Sequence, residues 1–495
     1  MKIKDRYAPS PTGLQHIGGM RTALFNYLFA VSRGGTFVLR LEDTDRARFD
    51  RRFVENLYDT FEWLGIRWDE GPDIGGPSAP YVQSERLGLY ETHARRLHDS
   101  GNAYECFCST GRLAELREAR GAESGYDRRC RTMTEAERAE RKGRGEVPVL
   151  RLKIPLGETT VFSDRLLGTI AWKNEDINPD PVLLKSDRFP TYHLANVVDD
   201  HFMGITHVLR AQEWLASTPL HAILYRAFGW EPPEFCHLPM VMGPDGKKLS
   251  KRHGATSVDE FRRLGCLPEA LLNYVALLGC SYEEGKAFYT LAELAERFSL
   301  DRLNKAPAVF DYKKLAWYNG HYLRGKSDAE LAALAMPYAV EQGLFGAEGA
   351  APSESQRAGF LGAMPLIRER ASFLGEIPDK LRYLFAEPGV PEAGEFIPKK
   401  ADLDRTIALL EAGRAFVPEL AVLSDAECEA LVKTGAERVG AKLGDLMMPL
   451  RVALTGSRVS PPLFGSVRVL GPDRALARVD RALEKLRSSC GPSSP

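Results

Sequence analysis

The chain has 495 residues, 44% of them hydrophobic, and its 66 Lys and Arg nearly balance 67 Asp and Glu. That length supports several domains with separate cores, while near-zero net charge excludes no partner class, because an Arg-rich face can be offset by acids elsewhere. Eight irregularly spaced cysteines argue against a disulfide framework, and with neither a signal-like start nor a membrane-length apolar run, a soluble cytoplasmic protein is expected.

Ile3 to Ala8 predicts a short strand. Arg6 to Met20, RYAPSPTGLQHIGGM, follows; Pro9 and Pro11 stiffen it, and Gly18 and Gly19 allow backbone to approach a ligand where a helix begins. Unpaired amides at the positive end of a helix hold phosphate, and His16 stands at that point. Arg21 to Ser32 predicts a helix with Ala23, Leu24, Tyr27, Leu28 and Val31 on one face, and TFVLRL, Thr36 to Leu41, a second strand. The resulting βαβ unit has its ligand crevice at the strand ends, where Glu42, Asp43 and Asp45 fall. At least one of these acids is expected to meet a substrate ammonium or a metal.

Phe53 to Leu64 predicts another helix, followed by the loop GPDIGGPSAP. From about Tyr90 the texture becomes mixed-charge and helical around Cys106, Cys108, Tyr126 and Cys130, with a capping box at Thr134 and Glu137, as an inserted domain would be. Strands are predicted at Val149 to Ile154, Thr169 to Trp172 and His237 to Val241. Between the last two, KSDRFPTYHLANVVDDHFMGITHVLRAQEW is dense enough in polar groups to line a pocket. GPDGKKLSKRHG, Gly243 to Gly254, reads as a mobile basic loop. Beyond it, Ser257 and Glu260 cap a helix, Pro268 to Leu278 forms another, and from Leu291 the pattern is almost all helical. Linkers are expected near Phe345 to Ser353 and Glu387 to Gly394, with a short polar tail after Arg487.

Placed in one crevice, His16 and Lys251 could grip a triphosphate from two sides. Attack on the α-phosphate of ATP builds charge that preorganised cations stabilise. A carboxylate substrate can itself be the nucleophile, and Mg2+ would bridge the phosphates without a protein cage.

HIGG (His16 to Gly19) and KLSKR (Lys248 to Arg252), with RYAPSPTG, LRLEDTD, WDEGPDIGGP, YVQSERL, LKSDRFPTYHLANVVDDHFMGITHV and LPEALLNYVALLG in order, resemble the class I aminoacyl-tRNA synthetases and, among them, the bacterial glutamyl-tRNA synthetases. The resemblance covers nearly the whole chain. It implies an α/β Rossmann-like class I catalytic domain with an inserted α+β acceptor-binding domain, followed by a stem-contact region and all-α anticodon-binding domains. The expected divisions are 1–88 and 191–247 for the catalytic halves, 89–190 for the insertion, 248–328 for the KLSKR loop and stem contact, and 329–388 and 389–495 for the anticodon region.

The implied activity is ATP-dependent formation of glutamyl-adenylate from L-glutamate and transfer of glutamate to the terminal ribose of tRNA(Glu), by a monomer that needs tRNA for the activation step. The alternative is an enzyme that also charges tRNA(Gln). By resemblance, Arg6, Ala8, Ser10, Glu42, Tyr192, Asn196 and Arg210 form the glutamate pocket, with Glu42 on the α-ammonium. His16, Gly18, Glu213, Lys248, Ser250 and Lys251 serve ATP, with His16, Lys248 and Lys251 catalytic. Cys106, Cys108 and Cys130 resemble zinc ligands of some members, but Thr132 stands where those have histidine, leaving Tyr126 or water as the fourth ligand. Arg368 and Arg370 resemble the site of an arginine that reads the last anticodon base, or are exposed helical arginines. Small nucleotidyltransferases and shortened relatives that glutamylate a tRNA base lack the helical tail present here, and a regulatory, non-catalytic descendant would have a damaged site.

Overall fold

The computed structural model describes residues 2–120 and 126–489; most of the expected polar tail lies outside the described residues. The chain forms two compact units, Met1–Phe261 with Leu271–Tyr312, and Arg262–Ala270 with Lys313–Pro495. Among the described residues no helix is long and apolar enough to cross a membrane.

In the first unit, β1 (Lys4–Tyr7), α1 (Ile17–Ser32) and β2 (Thr36–Leu39) form the expected βαβ unit, β1 and β2 pairing in parallel from Lys4 opposite Thr36 to Tyr7 opposite Leu39. Downstream lie β3 (Ala103–Cys106), β4 (Val149–Leu152), β5 (Thr159–Asp164), β6 (Gly168–Lys173), β7 (Val182–Leu184), β8 (His207–Ala211) and β9 (Glu234–Leu238). β3, β4 and β7 make a small antiparallel sheet, and β6-β5-β9-β8 a second sheet in which β8 and β9 run parallel. Lys4 links β1 to the start of β8: its N–H donates to Thr206 Oγ1 at 2.9 Å and its carbonyl accepts from Thr206 N at 2.8 Å. The carboxyl ends of β1, β2, β8 and β9 therefore open on one side, as a parallel sheet requires of a ligand crevice.

Two expectations are corrected here. α1 is not a one-faced helix: Ala23, Leu24 and Leu28 are buried, but so are Met20, Phe25, Asn26 and Phe29, whereas Val31 is 48% exposed. The sheet covers one side and the segment around Leu291–Arg297 covers another, with Phe25 and Phe298 rings 5.4 Å apart. The strand expected over His237 to Val241 is β9, displaced toward Glu234, followed by a two-residue strand, Val241–Met242, that pairs with Ala308–Val309. Pro239 lies between them, and a ring nitrogen without a hydrogen cannot continue the ladder.

Asp5, on β1, is fully buried, and both carboxylate oxygens lack a hydrogen-bond partner. Desolvation, the largest cause, raises its pKa well above the ordinary value, against the lowering effect of Arg6. A raised folded-state value means that the contribution of Asp5 to stability is intact below the ordinary carboxyl range and is lost as pH climbs through the raised value. Asp5→Val keeps the volume and deletes both oxygens. It should stabilise the protein by about 1–3 kcal/mol at pH 7.5 and by clearly less near pH 4, as calorimetry at the two pH values would show.

The second unit is helical. Ser327 with Glu330, Ser353 with Gln356, and Ser424 with Glu427 make capping boxes that start three of its helices. Its later helices close over a core including Phe396, Leu410, Val417, Val432, Leu450 and Leu483. The expected linker at Glu387 is tied down at its first residue: Arg478, almost wholly buried, donates to Glu387 Oε2 at 3.1 Å and to Leu454 O at 2.6 Å. The Arg478 hydrogen bond is the main reason the Glu387 carboxyl is held down at about 2.

Candidate active site

His16 caps α1, its Nδ1 accepting from the Gly19 N–H at 3.1 Å. With Nδ1 used as an acceptor, the neutral ring carries its proton on Nε2 and keeps that donor for a ligand. Desolvation, then Lys248, hold the His16 pKa below its ordinary value, so the neutral form is the one present at pH 7. A Cβ on Gly19 would stand 2.8 Å from Tyr7 Oη, which donates to Gln15 Oε1 at 2.9 Å. A side chain at position 19 would therefore require Tyr7 to shift.

The segment after the basic loop is sewn to this seat. Ile17 N donates to Thr256 O at 3.0 Å and Val258 N to Gln15 O at 2.9 Å. Within the loop, Gly243 N donates to Lys247 O at 2.7 Å and Leu249 N to Val241 O at 3.0 Å, and Ser250 is committed to His253, its N–H 3.0 Å from Nδ1. Arg252 and His253 pair with Asp245 at 3.1 and 3.0 Å, and Lys248 pairs with Glu213. Lys251, exposed, faces no carboxylate within ion-pair distance among the described residues. Of the cations in KLSKR, it is the one left to a ligand.

The inner end of the crevice is built on the helix Tyr192–Phe202, whose spacing of four puts Tyr192, Asn196 and Asp200 on one face. Arg6, at 4% exposure, holds Asp200 in a fork, Nε to Oδ1 at 3.0 Å and Nη2 to Oδ2 at 3.2 Å. Arg40, fully buried, bonds Asp200 at 2.7 Å and Glu42 Oε1 at 3.0 Å, and Arg86 bonds Asp199 at 2.7 Å. Three buried guanidiniums thus face three buried carboxylates, a network that fixes geometry more than it adds stability.

Glu42 keeps an oxygen beyond its Arg40 bond; burial raises its pKa and Arg40 opposes that. Its N–H donates to Pro9 O at 3.0 Å, which places it against the Ala8–Ser10 segment. Asp43 is used by Ser84 N at 2.8 Å, and Asp45 by Arg48 at 2.7 Å. Ser10 is exposed and Asn196 buried, and neither side chain has a hydrogen bond among the described residues. Arg210, 5% exposed, is paired with no carboxylate among the described residues; its Nη1 donates to Tyr192 Oη at 3.0 Å, and Trp214 lies over the Tyr192 ring at 4.5 Å. Because Glu213 next to Trp214 pairs with Lys248, the inner and outer ends are continuous.

The sequence-based reading missed Arg40, Arg86, Asp199 and Asp200, although adjacent acids in the apolar run NVVDDHF were a signal. It also missed Asp164, His221 and His237 around Arg210; a histidine in the apolar run of β9 was the only trace.

The small sheet carries the cysteine cluster. The sulfurs of Cys106, Cys108 and Cys130 lie within 4.8 Å of one another, Cys108 and Cys130 at 3.6 Å. Tyr126 Oη is 3.4 Å from Cys106 Sγ and accepts from Cys130 N at 2.9 Å. Hydrogen bonding from Cys130 lowers the Cys106 thiol below its ordinary value, while the Cys130 thiol is raised by the same bond. Three sulfurs fit three positions of a tetrahedral zinc site, leaving Tyr126 or water for the fourth.

In the second unit, Arg368 pairs with Asp328, whereas Arg370 donates to Ser460 O at 3.0 Å on the wall of a cavity of about 520 Å³. Arg451 converges on the same Ser460, its Nη1 2.5 Å from Oγ.

The family described as tRNA synthetases class I (E and Q), catalytic domain, matches residues 2–317, and an anticodon binding domain matches residues 330–483. The chain belongs to this class I tRNA synthetase family. Within it, the chain is 54% identical to the glutamate–tRNA ligase of Treponema denticola, over 98% of this chain and 99% of that one, and 47% identical to that of Borrelia recurrentis, over 98% and 96%. The crystal structure of the glutamate–tRNA synthetase from Elizabethkingia anophelis superposes with a TM-score of 0.84 at 33% identity, covering 98% of this chain and all of that one.

Proposed function

We infer that the chain is a glutamate–tRNA ligase, which activates L-glutamate with ATP and esterifies it to tRNA(Glu). The carrying observation is Arg210, a buried guanidinium with only neutral partners at the closed end of a crevice whose open end bears His16 and Lys251. A buried cation without a counter-charge calls for an anion, and the side-chain carboxylate of glutamate supplies one.

In the proposed complex Tyr192, accepting from Arg210, donates its own hydroxyl hydrogen to that carboxylate, with Asn196 beside it and Arg6 offering the N–H groups that Asp200 leaves free. Glu42 takes the α-ammonium near Ala8 and Ser10. The α-carboxylate then lies toward the nucleotide, where one of its oxygens attacks the α-phosphorus. The bond from that phosphorus to the bridging oxygen breaks, and pyrophosphate leaves with the electron pair. His16 Nε2–H, the amides at Gly18 and Lys251 stabilise the charge that develops, while Lys248 and Ser250 hold the loop, Lys248 through Glu213. Mg2+ bound to the phosphates would offset their charge. In the second half-reaction a hydroxyl of the terminal ribose attacks the acyl carbon, the bond from that carbon to the phosphate oxygen breaks, and AMP leaves with the electron pair, its phosphate taking up the hydroxyl proton.

The remaining assignments are proposals on the same footing. Residues 89–190 form the acceptor-binding insertion between catalytic halves 1–88 and 191–247, followed by 248–328 for stem contact and 329–388 and 389–495 for the anticodon. Arg370 is favoured over Arg368 for the last anticodon base, because it borders a cavity of base-accommodating size while Arg368 is neutralised by Asp328. A cytoplasmic monomer completes the reading. Charging assays on tRNA(Glu) and tRNA(Gln) transcripts test it: glutamate should be attached to the first, failure to charge either would overturn the activity, and charging of both would identify the broader enzyme.

Cys106, Cys108, Tyr126 and Cys130 would hold a structural zinc. Protein purified without chelator should contain about one zinc per chain, and the Cys130→Ala variant should lose it; well under one zinc in the parent protein contradicts the assignment.

A further inference from the structure

Every N–H of the Arg210 guanidinium has a neutral acceptor. Nε donates to His237 Nε2 at 3.1 Å, Nη1 to Tyr192 Oη at 3.0 Å and His221 Nδ1 at 3.3 Å, and Nη2 to Thr218 Oγ1 at 2.8 Å and Trp214 O at 3.4 Å. The Nε side is anchored from behind. His237, fully buried on β9, presents Nδ1 to Asp164 Oδ2 at 2.6 Å, and Asp164, 2% exposed at the end of β5, also accepts from His237 N at 3.0 Å, Leu166 N at 3.0 Å and Leu167 N at 2.8 Å. Three backbone donors hold Asp164 as a carboxylate, which only accepts, so the proton of a neutral His237 sits on Nδ1 and the lone pair on Nε2. That is the one ring state that can accept from Arg210; the other tautomer or the imidazolium would set N–H against N–H.

We propose that Asp164 and His237 are positioning residues for amino-acid selection: Asp164 fixes the tautomer of His237, and His237 holds the plane of Arg210 so that its Nη edge can exchange the long bonds to His221 and Trp214 O, 3.3 and 3.4 Å, for a side-chain carboxylate. The inference rests on the reading of Arg210 as the carboxylate receptor. Because the two residues act through Arg210 and touch neither nucleotide nor tRNA in that reading, their loss should fall on glutamate recognition. An anchor that is itself neutral leaves the guanidinium charge for the ligand, whereas a carboxylate directly on Arg210 would cancel it.

The test is steady-state tRNA glutamylation by the full chain with glutamate, ATP and tRNA varied in turn, and glutamine tested as a competitor. In Asp164→Asn the amide oxygen can still accept from the Leu166 and Leu167 amides, but its NH2 forces the other tautomer on His237. KM for glutamate should rise about tenfold or more, with KM for ATP within about threefold and kcat at saturating glutamate far less affected. Discrimination against glutamine should narrow. His237→Phe should do the same, and His237→Gln, whose amide oxygen can take the place of Nε2, should recover most of the loss.

Variants are compared only where their melting temperatures match the parent, and the His237 pair stands in if Asp164→Asn does not fold. Unchanged glutamate KM and unchanged glutamine discrimination in the folded variants would overturn the proposal. So would parallel loss of kcat and of both KM values, or failure of His237→Gln to differ from His237→Phe. A parent enzyme that fails to prefer glutamate refutes the reading of Arg210 itself, which is seen before any variant is made.

Discussion

Replacing Lys251 by alanine should slow adenylate formation about 100- to 1,000-fold, the usual cost of removing one preorganised charge from a developing anion, while KM for glutamate changes little. The reason is that this lysine has no ion-pair partner among the described residues, only a longer-range attraction to Glu260. Lys248 is occupied by Glu213, and Arg252 and His253 by Asp245, so none of them can replace Lys251 without breaking a pair. Tethering of residues 256–258 to Gln15 and Ile17 keeps the end of the loop in place, so the lost rate reflects the missing ammonium. Pyrophosphate exchange in the presence of tRNA measures this step directly. A variant within about threefold of the parent would show that Lys251 is a solvated surface charge.

Arg210→Ala should lower kcat/KM for glutamate by at least about a hundredfold, near 3 kcal/mol at the cost typical of removing one partner of a buried charge pair. The effect should fall chiefly on KM. Truncation also strands acceptors on Tyr192, His221, Thr218 and His237, which adds to the cost. Glutamine, whose side chain brings no charge to the site, should lose much less, so the ratio of the two specificity constants separates recognition from misfolding. Equal losses for both amino acids would place the side-chain carboxylate elsewhere.

How much of this was legible in the sequence depended on whether a residue's role is local. The loop and cap ahead of α1 were readable because proline, glycine and a capping position act within a few residues of one another; His16 caps α1 as that spacing implied. The capping boxes at Thr134 and Ser257 are local in the same sense. Roles that depend on distant strands were not readable. Asp164 and His237 are 73 residues apart, and nothing in either neighbourhood announces the pairing that the β5 and β9 adjacency creates. Arg6 shows a third case. The resemblance proposes it for the glutamate pocket, but its fork to Asp200 could not be foreseen, because opposite charges in a sequence do not say which will meet.

The burial of α1 on nearly all sides has the same origin. Periodicity reports the face that differs most from its opposite, and a helix covered by a sheet and by a later segment has little difference to report. Val31, read as core from its spacing, is exposed although Phe29 and Ala30 in the same turn are buried, so it lies on the one strip of the helix left uncovered there.

The central claim is that a cationic pocket selects glutamate for attachment to tRNA. The most direct measurement supplies the purified chain with ATP, Mg2+ and tRNA(Glu), and compares the ester formed from glutamate with that from glutamine across a range of concentrations. An alkali-labile glutamyl ester should form, with a preference for glutamate in kcat/KM of about a hundredfold or more. Equal charging with the two amino acids, or no ester with either, would contradict it.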